Sequence, residues 1–302
     1  MNNPSKSNGD EAIIAKFPIP VYIVGLSEEY RGHELENQLR NVESVVHRFH
    51  AFDARQLGSE DLSELVDQNA ARFLQHRDLT PGEIGCAISH REALREVARA
   101  DHNWAVILED DARLNPVWIT LHSILEELDC TKPRIILLWA QSDYTVLRAS
   151  SHVRIQSERE NVTVSRTFTP PPSAAAYVVN RAAAQLASCR SGNRIETVAD
   201  WPPKWAYDVE FFVAYPWLAS PAPDAKSTLQ PARSHFESHD QESRIKRLTR
   251  HLESALCIRY LRRPAAYPGF RQFWMHEVTR PIQLARARRW GKRLDGNGPW
   301  IV

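Results

Sequence analysis

Residues 79–90 read LTPGEIGCAISH and residues 104–111 read WAVILEDD. In the first stretch Thr80 can cap a helix, Pro81 can take its first position and Glu83 can complete a capping box. The helix is expected to run to about residue 100. The second stretch is an apolar run that predicts a buried strand, and it ends at three carboxylates. A capped helix followed by a buried strand indicates an α/β unit, so the rest of the fold is built outward from here.

Similar patterns lie on both sides of this unit. Strands are predicted at residues 19–26, 44–52, 134–139 and 174–179, and helices at 28–40, 59–75, 115–128 and from 180 onward. Residues 145–169 predict a hairpin or extended insert, and residues 200–221, rich in Trp, Tyr, Phe and Pro, predict an irregular wall of a cleft. Two basic helices are predicted at 240–262 and 280–294. Alternating strands and helices predict an α/β protein with a mostly parallel central sheet.

The composition is that of an ordinary globular protein. Of 302 residues, 43% are hydrophobic and 25% are charged, which excludes wholesale disorder, collagen and coiled coil. The net charge of +1 gives no reason to expect nucleic-acid binding. Residues 241–302, however, carry 14 Lys and Arg against 4 Asp and Glu. This basic segment predicts contact with an anionic surface, such as a membrane or a phosphorylated glycolipid.

Cysteine use and hydropathy bear on the compartment. The four cysteines are widely spaced and form no C-x-x-C pair, so neither a cysteine-based zinc site nor a disulfide framework is expected. Dispersed cysteines fit a reducing cytosol. The first 16 residues are polar and no apolar run reaches about 18 residues, so we expect no signal peptide and no transmembrane helix. The prediction is a cytoplasmic protein, with any membrane contact peripheral, at the inner membrane.

The carboxylates Glu109, Asp110 and Asp111 are the sharpest local feature. Ligands of open α/β sheets bind beyond the carboxyl ends of strands, where this triplet is expected. Adjacent carboxylates repel one another unless a cation is present, and their oxygens suit Mg²⁺ or Mn²⁺. The alternative is a solvated acidic turn.

Other polar residues carry weaker indications. Asp53 follows a predicted strand and could reach the same crevice, or be an ordinary turn residue. Ser89 and His90 are neighbours on the predicted helix, about 100° apart, so they cannot relay a proton to each other; a polar helix face explains them as well. Cys86, on that helix, is expected to be a small core residue.

Carboxylates later in the chain are candidates for acid–base chemistry. Asp200, Asp208 and Glu210 stand among aromatic residues, a combination that suits sugar binding and general-base work but also a packed subdomain. His235 follows a predicted loop and could complete a metal site, although most histidines are structural or exposed.

Read together, these segments resemble glycosyltransferase family 25, which includes bacterial lipooligosaccharide and lipopolysaccharide galactosyltransferases. The strongest match is residues 79–90 followed by 107–111, which reproduce the family's G-E-x-G-C-x-x-S-H helix start and its E-D-D strand end in order and spacing. Weaker matches lie at residues 21–26 with Arg31, at 52–54, at 175–179 and at 198–200. Gly25 stands where the family usually has Asn, and the basic region after residue 240 matches nothing in the family pattern.

The resemblance implies a GT-A type fold and an inverting transfer of a hexose, usually galactose, from a UDP-sugar. It implies that Asp111 binds manganese directly, with Mg²⁺ as the alternative ion, and that Glu109 or Asp110 contacts the ribose or a metal-bound water. The metal set implied by resemblance and position together is Glu109, Asp111 and His235. The residues implied to bind the nucleotide sugar are Leu26, Arg31, Asp53, Ser89, His90 and Asp110. Asp200 is the first candidate for the catalytic base and Asp208 the second.

The predicted organisation is a flexible lead (1–17), a catalytic domain (18–238) and a basic helical region (239–302) that docks on membrane or acceptor. The predicted partners are a UDP-sugar donor and a glycolipid or oligosaccharide acceptor of lipopolysaccharide-core type, with no nucleic acid. Two alternatives stay open. One is a non-catalytic glycan-binding or assembly protein on a transferase scaffold; the other is a metal-dependent phosphoesterase, which would normally need further Asp and His ligands.

Overall fold

The computed structural model describes residues 17–28, 30–156, 161–222, 274, 278–293 and 298–301. Ten strands form one sheet in the order β11-β12-β6-β7-β9-β5-β8-β3-β1-β2, and two short strands form a separate pair, β10-β4. The strands are β1 Val21–Gly25, β2 Val46–His50, β3 Trp104–Glu109, β4 Ala112–Leu114, β5 Arg134–Leu137, β6 Val146–Gln156, β7 Asn161–Thr167, β8 Ala176–Asn180, β9 Glu210–Tyr215, β10 Ala219–Pro221, β11 Lys292–Arg293 and β12 Trp300–Ile301.

The sheet mixes parallel and antiparallel pairs. Strand β1 lies parallel to both β2 and β3, and β5 lies parallel to β9. Strand β8 runs antiparallel between β3 and β5, and β7 runs antiparallel between β6 and β9. The α/β class is therefore confirmed, but the described sheet is mixed rather than mostly parallel, with four parallel and five antiparallel strand pairs. Two of the parallel pairs adjoin at the β2-β1-β3 edge, where three carboxyl ends meet.

Eight helices are described, some with 3-10 turns before them. They are α1 His33–Arg40, α2 Ser59–Leu65, α3 Gln68–Gln75, α4 Pro81–Arg99, α5 Leu121–Glu126, α6 Arg181–Arg190, α7 Pro203–Ala206 and α8 Arg280–Trp290. Gly32 stands before α1, which shortens the predicted helix at its start. The helix expected from residue 115 begins as a 3-10 turn, Pro116–Thr120. Within the described residues no helix is long and apolar enough to span a bilayer.

Helix α4 begins as its sequence predicts. The Thr80 hydroxyl accepts the backbone N–H of Glu83, and the Glu83 carboxylate accepts the backbone N–H of Thr80 at 3.0 Å. Arg77 donates two hydrogen bonds to the same carboxylate, at 2.7 and 2.6 Å. Glu83 is buried, and these partners compensate its charge.

Helices cover both faces of the sheet because its central strands are buried on both sides. On one face Val21, Ile23 and Val106 pack with residues of α1 and α5. On the other, Ile107 and Tyr177 pack with α4, α6 and a cluster of tryptophans. The second half of α4 packs in this arrangement, and its first half packs through Ile84 and Ile88 in a third cluster with Ala54, beside the carboxyl ends of β1 and β3.

Residues 200–221 differ from the expected irregular wall. Trp201 and Trp205 are buried in the core, and β9 lies inside the main sheet between β5 and β7. Its residues 211–214 are buried, so the aromatic composition reflects core packing. The hairpin at 145–169 is present as β6 and β7, which join the sheet.

The described part of the basic segment packs on the same sheet. Strand β12 pairs with β6, and Arg293 forms an ion pair with Asp143. Helix α8 confirms a helix within the predicted range 280–294, whereas the basic helix predicted at 240–262 lies outside the described residues. The division at residue 238 stays a prediction.

Candidate active site

A cleft opens at the carboxyl ends of β1, β2 and β3, beside the first half of α4. The loop after β2 extends it into a neighbouring groove through Asp53 and Arg55. Among the residues that line the cleft are seven singled out in the sequence: Leu26, Arg31, Asp53, Ser89, His90, Glu109 and Asp110.

Two glycines let the elements around the cleft approach closely. A Cβ on Gly85 would lie 2.4 Å from the carbonyl oxygen of Phe52, so only glycine lets α4 pass this close to the loop after β2. A Cβ on Gly25 would lie 2.8 Å from the side chain of Asp110. The glycine that replaces the family's usual Asn thus makes room for the acidic triplet.

Ser89 fixes the same loop to the helix. Its hydroxyl donates to the carbonyl oxygen of Gly85 at 2.7 Å and accepts the backbone N–H of Phe52 at 2.9 Å. Just beyond, Asp53 accepts hydrogen bonds from the backbone N–H and the guanidinium of Arg55. The hydrogen bond from the Arg55 side chain holds the pKa of Asp53 below its ordinary value.

Arg31 supplies positive charge to the triplet. It lies 79 residues before Asp110 in the chain, yet its guanidinium donates to Asp110 Oδ1 at 2.7 Å and its backbone N–H donates to Oδ2 at 3.1 Å. The same guanidinium is 3.4 Å from Asp111 Oδ2. Both carboxylate oxygens of Asp110 therefore accept hydrogen bonds from Arg31, whereas the contact between Arg31 and Asp111 is longer.

The pKa values of Glu109 and Asp111 are shifted in opposite directions. Burial raises the pKa of Glu109, but the hydrogen bond and charge of His90, with the charge of Arg31, outweigh it and the pKa falls. Burial and the negative charge of Glu109 raise the pKa of Asp111 to about 6, against the opposing effect of Arg31. Asp111, which follows the cleft-lining residues Glu109 and Asp110 but is not itself in the lining, is thus more readily protonated than Glu109.

The acidic residues fit a hard divalent cation. Carboxylate oxygens are the ligands that Mn²⁺ and Mg²⁺ prefer, and a bound cation would offset the burial and the neighbouring charge of Glu109 that raise the pKa of Asp111. Asp111 would hold such an ion, with Glu109 two residues away at the same strand end. His235 lies outside the described residues.

His90 lies between two polar groups. Its Nδ1 is 3.1 Å from the hydroxyl of Tyr177, and its Nε2 is 3.4 Å from Glu109 Oε1. Cys86 lies one helical turn earlier and its Sγ is 3.8 Å from the same carboxylate oxygen. Cys86 thus borders the cleft and is partly exposed, which corrects its assignment as a core residue.

The two candidate bases lie outside the cleft lining. Asp200 is exposed, and its Oδ2 accepts the backbone N–H of Ser173 at 3.1 Å. Ser173 belongs to the segment that precedes β8, and the carbonyl oxygen of Ala175 in this segment accepts the backbone N–H of Glu109. Asp200 is thus connected to the acidic triplet through this segment. Asp208 forms an ion pair with Arg190 of α6. Glu210 is bound by Arg134 and Arg166, each at 3.0 Å.

Comparison with known proteins defines the class. The family model "Glycosyltransferase family 25 (LPS biosynthesis protein)" matches residues 18–195. Because this covers more than half of the chain and contains the cleft, the chain belongs to glycosyltransferase family 25.

The individual relatives match a smaller part of the chain than the family model does. Two proteins described as "Glycosyltransferase 25 family member", from Drosophila pseudoobscura pseudoobscura and Drosophila melanogaster, are 31% and 32% identical over 93 residues. The match covers 28% of this chain and 14% of each relative. The crystal structure of HddC from Yersinia pseudotuberculosis aligns with 74% of this chain and 79% of its own, at 12% identity and a TM-score of 0.30, which is too weak a likeness to support an argument.

Proposed function

We propose that this protein is an inverting, metal-dependent glycosyltransferase with a GT-A type arrangement. It transfers a hexose, with galactose favoured, from a UDP-sugar to a lipopolysaccharide-core or related glycan acceptor. The observation that carries this proposal is the cleft at the β2-β1-β3 edge, where the family's G-E-x-G-C-x-x-S-H and E-D-D motifs face each other.

The residues of the cleft suit a nucleotide sugar. Arg31 carries positive charge to the cleft, where a diphosphate would lie. Asp53, whose carboxylate is held in place by Arg55, is proposed to contact the ribose hydroxyls. Leu26 adds an apolar contact. Ser89 and His90 line the inner wall, and Asp110 holds Arg31 in place through its two hydrogen bonds.

Asp111 and Glu109 are proposed to hold Mn²⁺, or Mg²⁺ in its place. When bound, the ion would neutralise the diphosphate and the charge of the departing UDP. The residues contribute in different ways. Asp111 offers a carboxylate whose pKa is raised by burial and by the charge of Glu109. Glu109 offers a carboxylate whose pKa is lowered, against its burial, by His90 and Arg31.

Inversion requires a base for the acceptor hydroxyl, and we propose Asp200 ahead of Asp208. The segments around Asp200 have left-handed backbone at non-glycine residues, with φ of 113° at Ser173 and 51° at Trp201. Such strain is characteristic of functional sites. Asp208 is already engaged by Arg190, which would have to be displaced before it accepts a proton.

We further propose a cytoplasmic location with peripheral contact at the inner membrane. Helix α8 exposes Ile282, Arg286 and Arg289, which lie along one face by their spacing. Each basic residue near an anionic surface contributes about 1 kcal/mol. Sedimentation with anionic liposomes at low and high salt tests this contact; no binding at low salt would refute it.

The experiment for the activity is UDP release by the purified protein across a panel of UDP-sugars. Each donor is measured with Mn²⁺, with EDTA, and with an Asp111→Asn variant. Asp101→Asn is the matched control, because Asp101 precedes β3 and its side chain is fully exposed. Release from one donor that requires both the metal and Asp111 supports the proposal.

The opposite outcomes identify the alternatives. No release from any donor, with no calorimetric binding of UDP in the presence of Mn²⁺, would leave a non-catalytic glycan-binding or assembly protein. Metal-dependent hydrolysis of simple phosphoesters without sugar transfer would indicate a phosphoesterase.

A further inference from the structure

Three side chains of different chemistry converge on one point at the inner end of the cleft. Cys86 and His90 are four residues apart on α4, so they lie one above the other on the same helix face. Glu109, at the end of β3, faces both. Among the described residues, this is the group of three His, Cys, Asp or Glu side chains whose ligand atoms lie within 4.8 Å of one another.

The distances between the ligand atoms are close to those around one tetrahedrally coordinated metal ion. Sγ of Cys86 is 3.8 Å from Glu109 Oε1, and Nε2 of His90 is 3.4 Å from the same oxygen. Zinc bonds of about 2.0–2.3 Å to N, O and S in tetrahedral geometry place ligand atoms about 3.3–3.6 Å apart. Glu109 Oε1 therefore lies close to the ligand-to-ligand distance of one zinc ion from both Cys86 Sγ and His90 Nε2, and all three ligand atoms lie within 4.8 Å of one another.

The surroundings of His90 also suit a metal ligand. A metal-bound histidine usually has a hydrogen-bond partner on its other ring nitrogen, which fixes the ring. Here Nδ1 is 3.1 Å from the hydroxyl of Tyr177, whose side chain is buried. Because a hydroxyl both donates and accepts, Tyr177 can keep this bond whether the imidazole proton is on Nδ1 or on Nε2. With the proton on Nδ1, the Nε2 lone pair is directed to the ion.

The donor set selects the type of metal. A thiolate, an imidazole and a carboxylate suit Zn²⁺, whereas carboxylates alone suit Mn²⁺ and Mg²⁺. Glu109 is also proposed as a ligand of the hard ion, whereas its partner there, Asp111, is not part of this group. About a third of the Glu109 side chain is exposed to the cleft, which leaves a fourth position for water or ligand.

We propose that Cys86, His90 and Glu109 form a zinc site that shares only Glu109 with the manganese site of the proposed transferase. Binding forms one Zn–S, one Zn–N and one Zn–O bond and releases the thiol proton to solvent. A C-x₂-C spacing is absent from the chain, but a Cys-x₃-His pair on one helix face completed by a strand-end carboxylate serves the same chemistry. Because the site binds metal without any sugar donor, it is tested independently of the transferase activity.

The test is titration of the metal-free full-length protein with Co²⁺, which reports thiolate ligation by a near-ultraviolet charge-transfer band. We expect one equivalent to produce the band and Zn²⁺ to abolish it by displacement. The band should be lost in Cys86→Ser and retained in the matched control Cys189→Ser, because Cys189 lies exposed on α6. It should also persist in Asp111→Asn.

A second measurement covers the case in which Cys86→Ser fails to fold. In the wild-type protein, Zn²⁺ should slow alkylation of Cys86 by iodoacetamide at least tenfold, while Mg²⁺ should not, as mapped by mass spectrometry. The proposal is overturned if no thiolate band forms, if a folded Cys86→Ser protein keeps the band, or if Zn²⁺ leaves alkylation of Cys86 unchanged.

Discussion

Glu83 and Asp111 are carboxylates of the two motifs that face each other across the cleft, and their surroundings differ. Glu83 is fully buried, but Arg77 and the capping contacts of Thr80 compensate its charge completely. Asp111 is less buried, yet it lies beside Glu109 and Asp110 with Arg31 at 3.4 Å, and its pKa is raised to about 6. The first carboxylate holds the fold together, and the second retains charge for a ligand.

The largest expected effect is on Glu83. Glu83→Ala would leave the Arg77 guanidinium and the Thr80 backbone N–H without this partner, so the free energy of unfolding should fall by about 3–5 kcal/mol. Urea denaturation followed by circular dichroism measures this. Glu92→Ala is the control on the same helix, because Glu92 forms half-exposed ion pairs worth less than about 1 kcal/mol. Equal losses in both variants would contradict the structural role of Glu83.

The next effect is at Gly85, which brings the two motifs together. Gly85→Ala places a Cβ 2.4 Å from the carbonyl of Phe52, and overpacking of this kind costs about 3 kcal/mol. The midpoint temperature of thermal unfolding and the affinity for UDP should both fall. Gly192→Ala is the matched control, because nothing lies within 4 Å of the added Cβ, and its stability should change by less than about 0.5 kcal/mol. A tolerated Gly85→Ala would refute the close approach of α4 to the loop.

The smallest expected effect is at Asp111, where a substitution should stabilise the protein rather than destabilise it. Because burial and neighbouring charge raise the folded-state pKa of Asp111 to about 6, the folded protein binds more protons than the unfolded chain between about pH 4 and pH 6, and stability falls as pH rises through this window. Asp111→Asn should therefore raise the free energy of unfolding by about 1–2 kcal/mol above pH 6 and leave it unchanged below about pH 4. Asp101→Asn should show no such window. A destabilised Asp111→Asn protein at pH 8 would show that the charge of Asp111 is compensated after all.

Local chemistry made much of the fold predictable. The capping box of α4 and the strands β1 and β3 depend on residues within a few positions of one another, and the structure contains them as expected. Strand β9 was missed because its Pro- and aromatic-rich surroundings resemble a loop, and its place in the sheet depends on pairing with β5 and β7, which are distant in sequence.

The candidate site divides in the same way. The acidic triplet was identified because it directly follows a buried strand. The ion pair of Arg31 with Asp110 spans 79 residues, and no local pattern reveals it. The four-residue spacing of Cys86 and His90 indicates from sequence alone that they share one helix face. Glu109, the third residue of the proposed zinc site, lies near them only because α4 packs against β3, which the sequence does not reveal.

The most direct test of the central claim is Mn²⁺ binding in the presence of UDP, measured by electron paramagnetic resonance of the free ion. The wild-type protein and Asp101→Asn should each bind one equivalent, and Asp111→Asn should bind at least tenfold more weakly while remaining folded. Equal Mn²⁺ binding by Asp111→Asn and the wild type would contradict the claim that the uncompensated charge of Asp111 is reserved for a metal ion.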